Sequence, residues 1–235
     1  KRLQFLLFSL VLLMNSCAKK NITEWDRLEK LVRDGNISQQ LAQVELKRLH
    51  PLLKSYFKRN KKMETQRANW VFPVEGYGTS AIGGNHGEGY KPQRYNFFEG
   101  NRHSGHPAHD IFIYDKNQDA VDDKTSKPVN ILSMSSGWVV AISTGWQPGS
   151  KIRGGNYVWI YDTVSSGLFY YAHLADIFVE VGQVLQSGDK IGLLGRSGKN
   201  ASPAKSPTHL HLMYLKYQED GNLIPEDLYG DLCKN

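Results

Sequence analysis

Two textures divide the chain. From Thr23 to about Lys62 apolar residues recur at spacings of three and four: Trp25, Leu28, Leu31 and Val32, then Leu41, Val44, Leu49, Leu52, Leu53, Tyr56 and Phe57. That is the period of helices burying one face. Asp34-Gly35-Asn36 interrupts the pattern, and Ser38 is placed to cap the second helix. The pattern predicts two helices, as a hairpin or loosely joined, with Pro51 expected to kink or divide the second. Beyond Trp70 the helical period disappears. Short runs of β-branched and aromatic residues alternate with glycine turns: Asp110 to Tyr114, Gly137 to Ser143, Tyr157 to Tyr161, Leu168 to Ala172, Lys190 to Leu194 and Leu210 to Tyr217. The expectation is a mainly β fold, a small antiparallel sheet or sandwich over residues 67–235, preceded by a helical N-terminal segment over 17–66. Between Gly76 and Gly105 no element is legible, and loops of that length in compact domains carry function or are disordered.

Ahead of the helices, Lys1 and Arg2 precede an apolar run from Leu3 to Met14, broken by Gln4 and Ser9, and then Asn15-Ser16-Cys17. A charged start, a short apolar stretch and small residues are the parts of an export signal, and the run is too short for the roughly 20 residues of a membrane span. Residues 1–16 are expected to be a signal peptide. Cys17 after a small residue resembles a bacterial lipobox, with Met14 in place of the usual leucine, and would become a lipid-modified N-terminus. An ordinary signal peptide with an incidental cysteine is the alternative. Both readings export the protein, and the first anchors it to a membrane of the bacterial cell envelope.

Composition adds limits. With 235 residues, 40% hydrophobic and 22% charged, the chain is of ordinary globular make-up, which excludes disorder, collagen and coiled coil as whole-chain readings. The net charge of +6 has its densest cationic stretch between Lys47 and Arg67, a patch for an anionic polymer or lipid surface or simply a solvated helix face. Nucleic acid is a poor partner for an exported protein. Cys17 and Cys233 form no Cys-x-x-Cys pair, so any metal must be held by histidines and carboxylates. With Cys17 lipidated, Cys233 is free or pairs between chains.

Six of the eight histidines fall in three groups: His103, His106 and His109 before Asp110, then His173, then His209 and His211. In His209-Leu210-His211, at the start of a strand, both imidazoles share a face while Leu210 and Leu212 point into the core. Pro107 and the run Ile111-Phe112-Ile113-Tyr114 make His106-Pro107-Ala108-His109-Asp110 a loop entering a strand that Asp110 opens, with His106 folded back beside it. Two histidines, a carboxylate and one open position make a zinc site of the catalytic kind, and two further histidines nearby would serve as acid and base. Each motif alone is weak.

In order, with Ser136-Gly137-Trp138-Val139-Val140, Gly155-Asn156-Tyr157-Val158, Tyr171-Ala172-His173-Leu174, Gly188-Asp189-Lys190-Ile191-Gly192 and Thr208-His209-Leu210-His211-Leu212, they resemble the lysostaphin-type (LytM-like) zinc metallopeptidases from roughly Val71 to Tyr217. The resemblance implies that His106, Asp110 and His211 hold one Zn²⁺ and that His173 and His209 are the catalytic histidines. It implies a small antiparallel β domain with a groove over the metal, hydrolysing peptide bonds in peptidoglycan stem peptides or cross-bridges with zinc-bound water as nucleophile. Ala108 and His109 depart from the family's glycine and its small or aliphatic residue before the ligand aspartate, and on a strand His109 should face away from Asp110. His103 and His86 are expected as loop residues lining the groove. Asp115 to Asp123 resembles the first half of a calcium loop, but Ala120 and Ser126 stand where Gly and Glu are required, so a solvated acidic turn is the expectation. The competing functional reading is a non-catalytic scaffold that binds a cell-wall hydrolase through the same groove.

Overall fold

The computed structural model describes residues 20–59 and 69–234. The expected signal segment and Cys17 lie outside them. Two helices come first, α1 over 20–33 and α2 over Gln39–Arg59. The turn between them is a Schellman stop: Asn36 N–H bonds the Leu31 carbonyl, Gly35 N–H bonds that of Val32, and Gly35 sits at φ +71°. Ser38 caps α2 by accepting a bond from Leu41 N at 3.3 Å. Pro51 does not divide α2, which is one helix throughout. It buries Ala42, Leu46, Leu49 and Leu53, whereas Leu41, Val44 and Leu52 are exposed. The helix is therefore rotated from what a count of leucines suggests, with small Ala42 on the face that meets the rest of the protein.

Eleven strands come after the helices: β1 Ala108–Phe112, β2 Val121–Asp122, β3 Lys127–Pro128, β4 Asn130–Leu132, β5 Gly137–Ser143, β6 Asn156–Asp162, β7 Gly167–Ile177, β8 Val184–Leu185, β9 Lys190–Leu194, β10 His209–Tyr217 and β11 Leu223–Pro225. A short helix α3, Tyr229–Leu232, ends the described chain. The main sheet is antiparallel in the order β1-β10-β7-β6-β5-β8, with β11 beside β10 and β9 bridging β7 and β4. The fold is thus mainly β and antiparallel. β1 begins at Ala108, so Asp110 lies in mid-strand rather than opening it. The strands absent from the sequence reading are two or three residues long, too short to show alternation. The segment from Gly76 to Gly105 folds as single-turn helices, Thr79–Ala81 and Phe97–Arg102, and pins itself through the bridges Ile82↔Ile111 and Lys91↔His106.

Strand alternation gives the sheet two faces. The far face carries Ile111, Val139, Val158, Ile160, Phe169, Tyr171, Leu210 and Leu212 into an apolar core with Trp70. The near face carries Trp138, Trp159, Tyr161, Leu168, Met213 and Leu215, on which the apolar sides of α1 and α2 pack in one cluster with Phe97 and Phe98. Trp25 of α1 donates its indole N–H to Tyr217 at 2.6 Å. Helices and sheet therefore share a core.

Candidate metal centre and its histidines

Register builds the site. β1 and β10 place Asp110 directly opposite His211, and β10 and β7 place His211 opposite Ala172. All three lie on the near face, as does His209. Leu210 and Leu212 turn into the far core, as strand periodicity requires. His106 is held just before β1 by paired backbone bonds with Lys91, N···O 2.7 and 2.8 Å.

The imidazole of His106 donates from Nδ1 to the Gly89 carbonyl, 2.9 Å, which leaves Nε2 as a lone pair 3.2 Å from the Asp110 carboxylate. His211 Nδ1 stands 3.1 Å from the same carboxylate. A tetrahedral zinc with bonds of about 2.0–2.1 Å sets its donor atoms roughly 3.3–3.4 Å apart, close to the separations of both imidazole nitrogens from the Asp110 carboxylate. Their donor atoms all lie within 4.8 Å of one another. The donor set, two imidazoles and a carboxylate with a fourth side left open, fits a zinc ion of the catalytic kind. Among the described residues it is the only such cluster of three or more.

His173 arrives by a different device. Along β7, Phe169 and Tyr171 face the far core, and simple alternation would send residue 173 there too. Instead the β6 register jumps from Asn156↔Leu174 to Tyr157↔Ala172, leaving His173 as the extra residue of a β-bulge with φ +70°. A bulge re-aims its side chain, and this left-handed backbone is costly for a residue with a Cβ. His173 is thereby brought against His209 and His211, ring centroids 4.9 and 5.7 Å apart. Its Nδ1 donates to the Ser197 carbonyl at 2.8 Å, and His209 Nδ1 donates to that of Pro207 at 2.7 Å. Both rings therefore present Nε2 as an acceptor, His209 Nε2 lying 3.8 Å from Asp110.

The electrostatics derive from burial and from one carboxylate. Burial, reinforced by His209 and His211, pushes the His173 imidazole down to about 3. Burial also lowers His211. For His106 burial works against protonation, but the bond to Asp110 outweighs it and the pKa is raised. Burial would raise Asp110, yet the imidazoles of His106 and His211 beside it hold it well below the usual carboxylate range.

The remaining sequence candidates separate cleanly. His109 is buried on the opposite face, with Nε2 2.8 Å from Asp227 and its ring against Tyr90 and Tyr229, away from the cluster. His103 lines the cavity beside the site and is lowered to about 4 by burial and by Arg153. His86 is not among the cavity's residues. Asp115 is buried, not solvated: its carboxylate accepts from Asp119 N, Ala120 N and the Thr208 hydroxyl. The acidic turn thus spends its oxygens on its own backbone and braces the loop before His209.

Sequence reasoning missed the cavity. About 100 Å³ in volume, it opens beside His106, His173 and His211 and runs between the sheet and α1, reaching Glu29 and Arg33. A signal was present: Glu29 sits four residues after Trp25 and three before Val32, on the buried stripe of α1, where a charge is out of place.

Residues 116–223 match the model of Peptidase family M23. The match spans His173, His209 and His211 and begins after His106 and Asp110. No curated protein matches the chain. Among solved structures, a zinc-containing peptidase from Vibrio cholerae is similar at 24% identity and TM-score 0.41, over 66% of this chain and 37% of that one. Lysostaphin from Staphylococcus simulans is similar at 21% identity and TM-score 0.39, over 61% of this chain and 48% of that one. A Ruminococcus gnavus protein provisionally named glycyl-glycine endopeptidase lytM is similar at 23% identity and TM-score 0.47, over 84% of this chain and 72% of that one. The chain thus spans less than half the length of the first two. The β-rich part of this chain is thus similar to Peptidase family M23 over residues 116–223.

Proposed function

We propose that the protein is a zinc-dependent endopeptidase that hydrolyses peptide bonds of bacterial peptidoglycan, exported and held at a membrane through Cys17. The observation that carries the reading is the convergence on one face of His106, Asp110 and His211 at zinc-ligand spacing, with His173 and His209 beside them presenting free Nε2 atoms. The anchor rests on the Leu3–Met14 run and on Cys17. A bound zinc ion supplies Lewis-acid polarisation and brings the pKa of water towards about 7.

The chain's own residues supply the proton handling. His173 and His209, each with Nδ1–H fixed on a carbonyl, accept a proton at Nε2 and return it to the departing amine. The low pKa of His173 keeps it neutral at pH 7, ready to receive. Negative charge developing on the substrate carbonyl favours the protonated form of either ring, which then donates a hydrogen bond to that oxygen. The Gly89 carbonyl fixes the tautomer of His106 so that Nε2 is available as a ligand.

Muropeptide mass spectrometry of purified sacculi incubated with the zinc-loaded protein tests this, with His209→Ala alongside. New peptide ends that vanish with the variant establish the activity and name the bond. Intact sacculi of several cross-link types, with folded and zinc-bound protein, would sink it in favour of a binding role.

A further inference from the structure

The cavity beside the metal cluster has a floor the proposed reaction does not use. Glu29 is 6% exposed, and among the described residues its carboxylate has a single hydrogen-bond donor, the Tyr157 hydroxyl, 2.9 Å from both oxygens. A buried carboxylate ordinarily has a cation against it. Arg33 is close but committed elsewhere: its Nε and Nη2 grip Asp34 at 2.7 Å, and Nη1 bonds the Tyr157 oxygen. Arg153, the other cation on the wall, donates to the His103 carbonyl. Burial outweighs the Tyr157 hydrogen bond and the through-space charges of Arg33 and Lys30, neither of which bonds to it, and pushes the Glu29 carboxyl up to about 7.

The walls are aromatic. Tyr95, Tyr157, Trp159 and Tyr170 line the space, and the Tyr170 ring packs at a tilt against Trp159 and Tyr157, with centroids 4.5 and 5.1 Å away. The Trp159 indole N–H is buried and has no partner among the described residues. Aromatic rings around a carboxylate are surroundings that favour a desolvated ammonium group. The same cavity is lined by His106, His173 and His211, so a peptide at the metal cluster can reach into it with a side chain.

We propose that this cavity is the subsite for an ammonium-bearing side chain of the peptide substrate, with the Glu29 carboxylate as counter-ion and the rings of Tyr95, Tyr157, Trp159 and Tyr170 as its walls. The inference rests on the endopeptidase reading and narrows it to peptides with a basic or diamino residue beside the cleaved bond. It also assigns selectivity to α1, which lies outside the M23 match.

The test uses three cross-linked peptides that differ only in one side chain beside the bond: lysine, Nε-acetyl-lysine and glutamate. The zinc-loaded wild type, Glu29→Gln and Tyr95→Leu are compared for kcat/KM. Calorimetric binding of the same peptides to the metal-free proteins is a readout independent of turnover. Expected for the wild type is at least a tenfold preference for lysine over acetyl-lysine, in both cleavage and binding. Glu29→Gln should bring the ratio within twofold, and Tyr95→Leu should lower it part way. No lysine preference, a preference that survives Glu29→Gln, or tighter binding of the glutamate peptide would overturn the subsite. If no peptide is cut but the lysine peptide still binds in a Glu29-dependent way, the endopeptidase reading fails and the subsite stands.

Discussion

The two faces of the sheet are made of the same strands and do opposite work. On the far face every second side chain is apolar and closes into a core with Trp70. On the near face the same strands deliver His211, His209, Asp110 and, through a bulge, His173, and the helices then cover what remains. Packing is given up where these polar side chains gather. A one-residue register shift would exchange the two sets, so the far core fixes which residues the site receives.

That division can be tested by breaking each side in turn. The largest effect is expected from His211→Ala, which removes a ligand and should abolish both stoichiometric zinc, read by atomic absorption, and peptide hydrolysis. His173→Ala comes next: zinc should be retained while kcat falls on the order of 10²- to 10⁴-fold, and parallel loss of zinc would refute its assignment as a proton carrier. On the far face, Leu212→Ala should cost about 2–5 kcal/mol of unfolding free energy in urea titration without altering zinc stoichiometry at temperatures where the protein stays folded. A loss of metal there would show that the two faces are not separable.

The smallest effect tests the buried carboxylate. Glu29 ionises at 4.5 when unfolded and at about 7 when folded. Between those values the folded state binds the extra proton, so stability falls as pH rises from 4.5 to 7, by up to roughly 3 kcal/mol. Glu29→Gln removes that dependence. Its melting temperature relative to wild type should therefore be several degrees higher at pH 8 than at pH 4.5, and an equal difference at both would contradict the burial described.

The sequence pointed to the side chains of the candidate site more fully than to the backbone that aims them. His106, Asp110, His209 and His211 were legible because strand spacing alone puts two of them on one face and a loop puts the third beside the fourth. His173 was legible as a residue but not as a position, since plain alternation assigns it to the far core and only the bulge returns it. Glu29 was visible as a charge in an apolar stripe, but periodicity does not say what that stripe meets. On α2 the leucines misled: Leu41, Val44 and Leu52 outweigh Ala42 by hydrophobicity, yet the surface being met selects the stripe through Ala42, Leu46, Leu49 and Leu53. Two- and three-residue strands leave no period to read.

The shared core of helices and sheet bears on how this domain can be moved between proteins. A fragment cut at Trp70 would uncover the rings of Trp159 and Tyr161 along with Leu215, all of which α1 and α2 cover here, and would leave Tyr157 without the acid it holds. The stretch before Trp70 is thus not a recombination joint. Grafting the strands and loops alone onto another leader would transplant the histidine–aspartate cluster but leave a wall of the cavity behind.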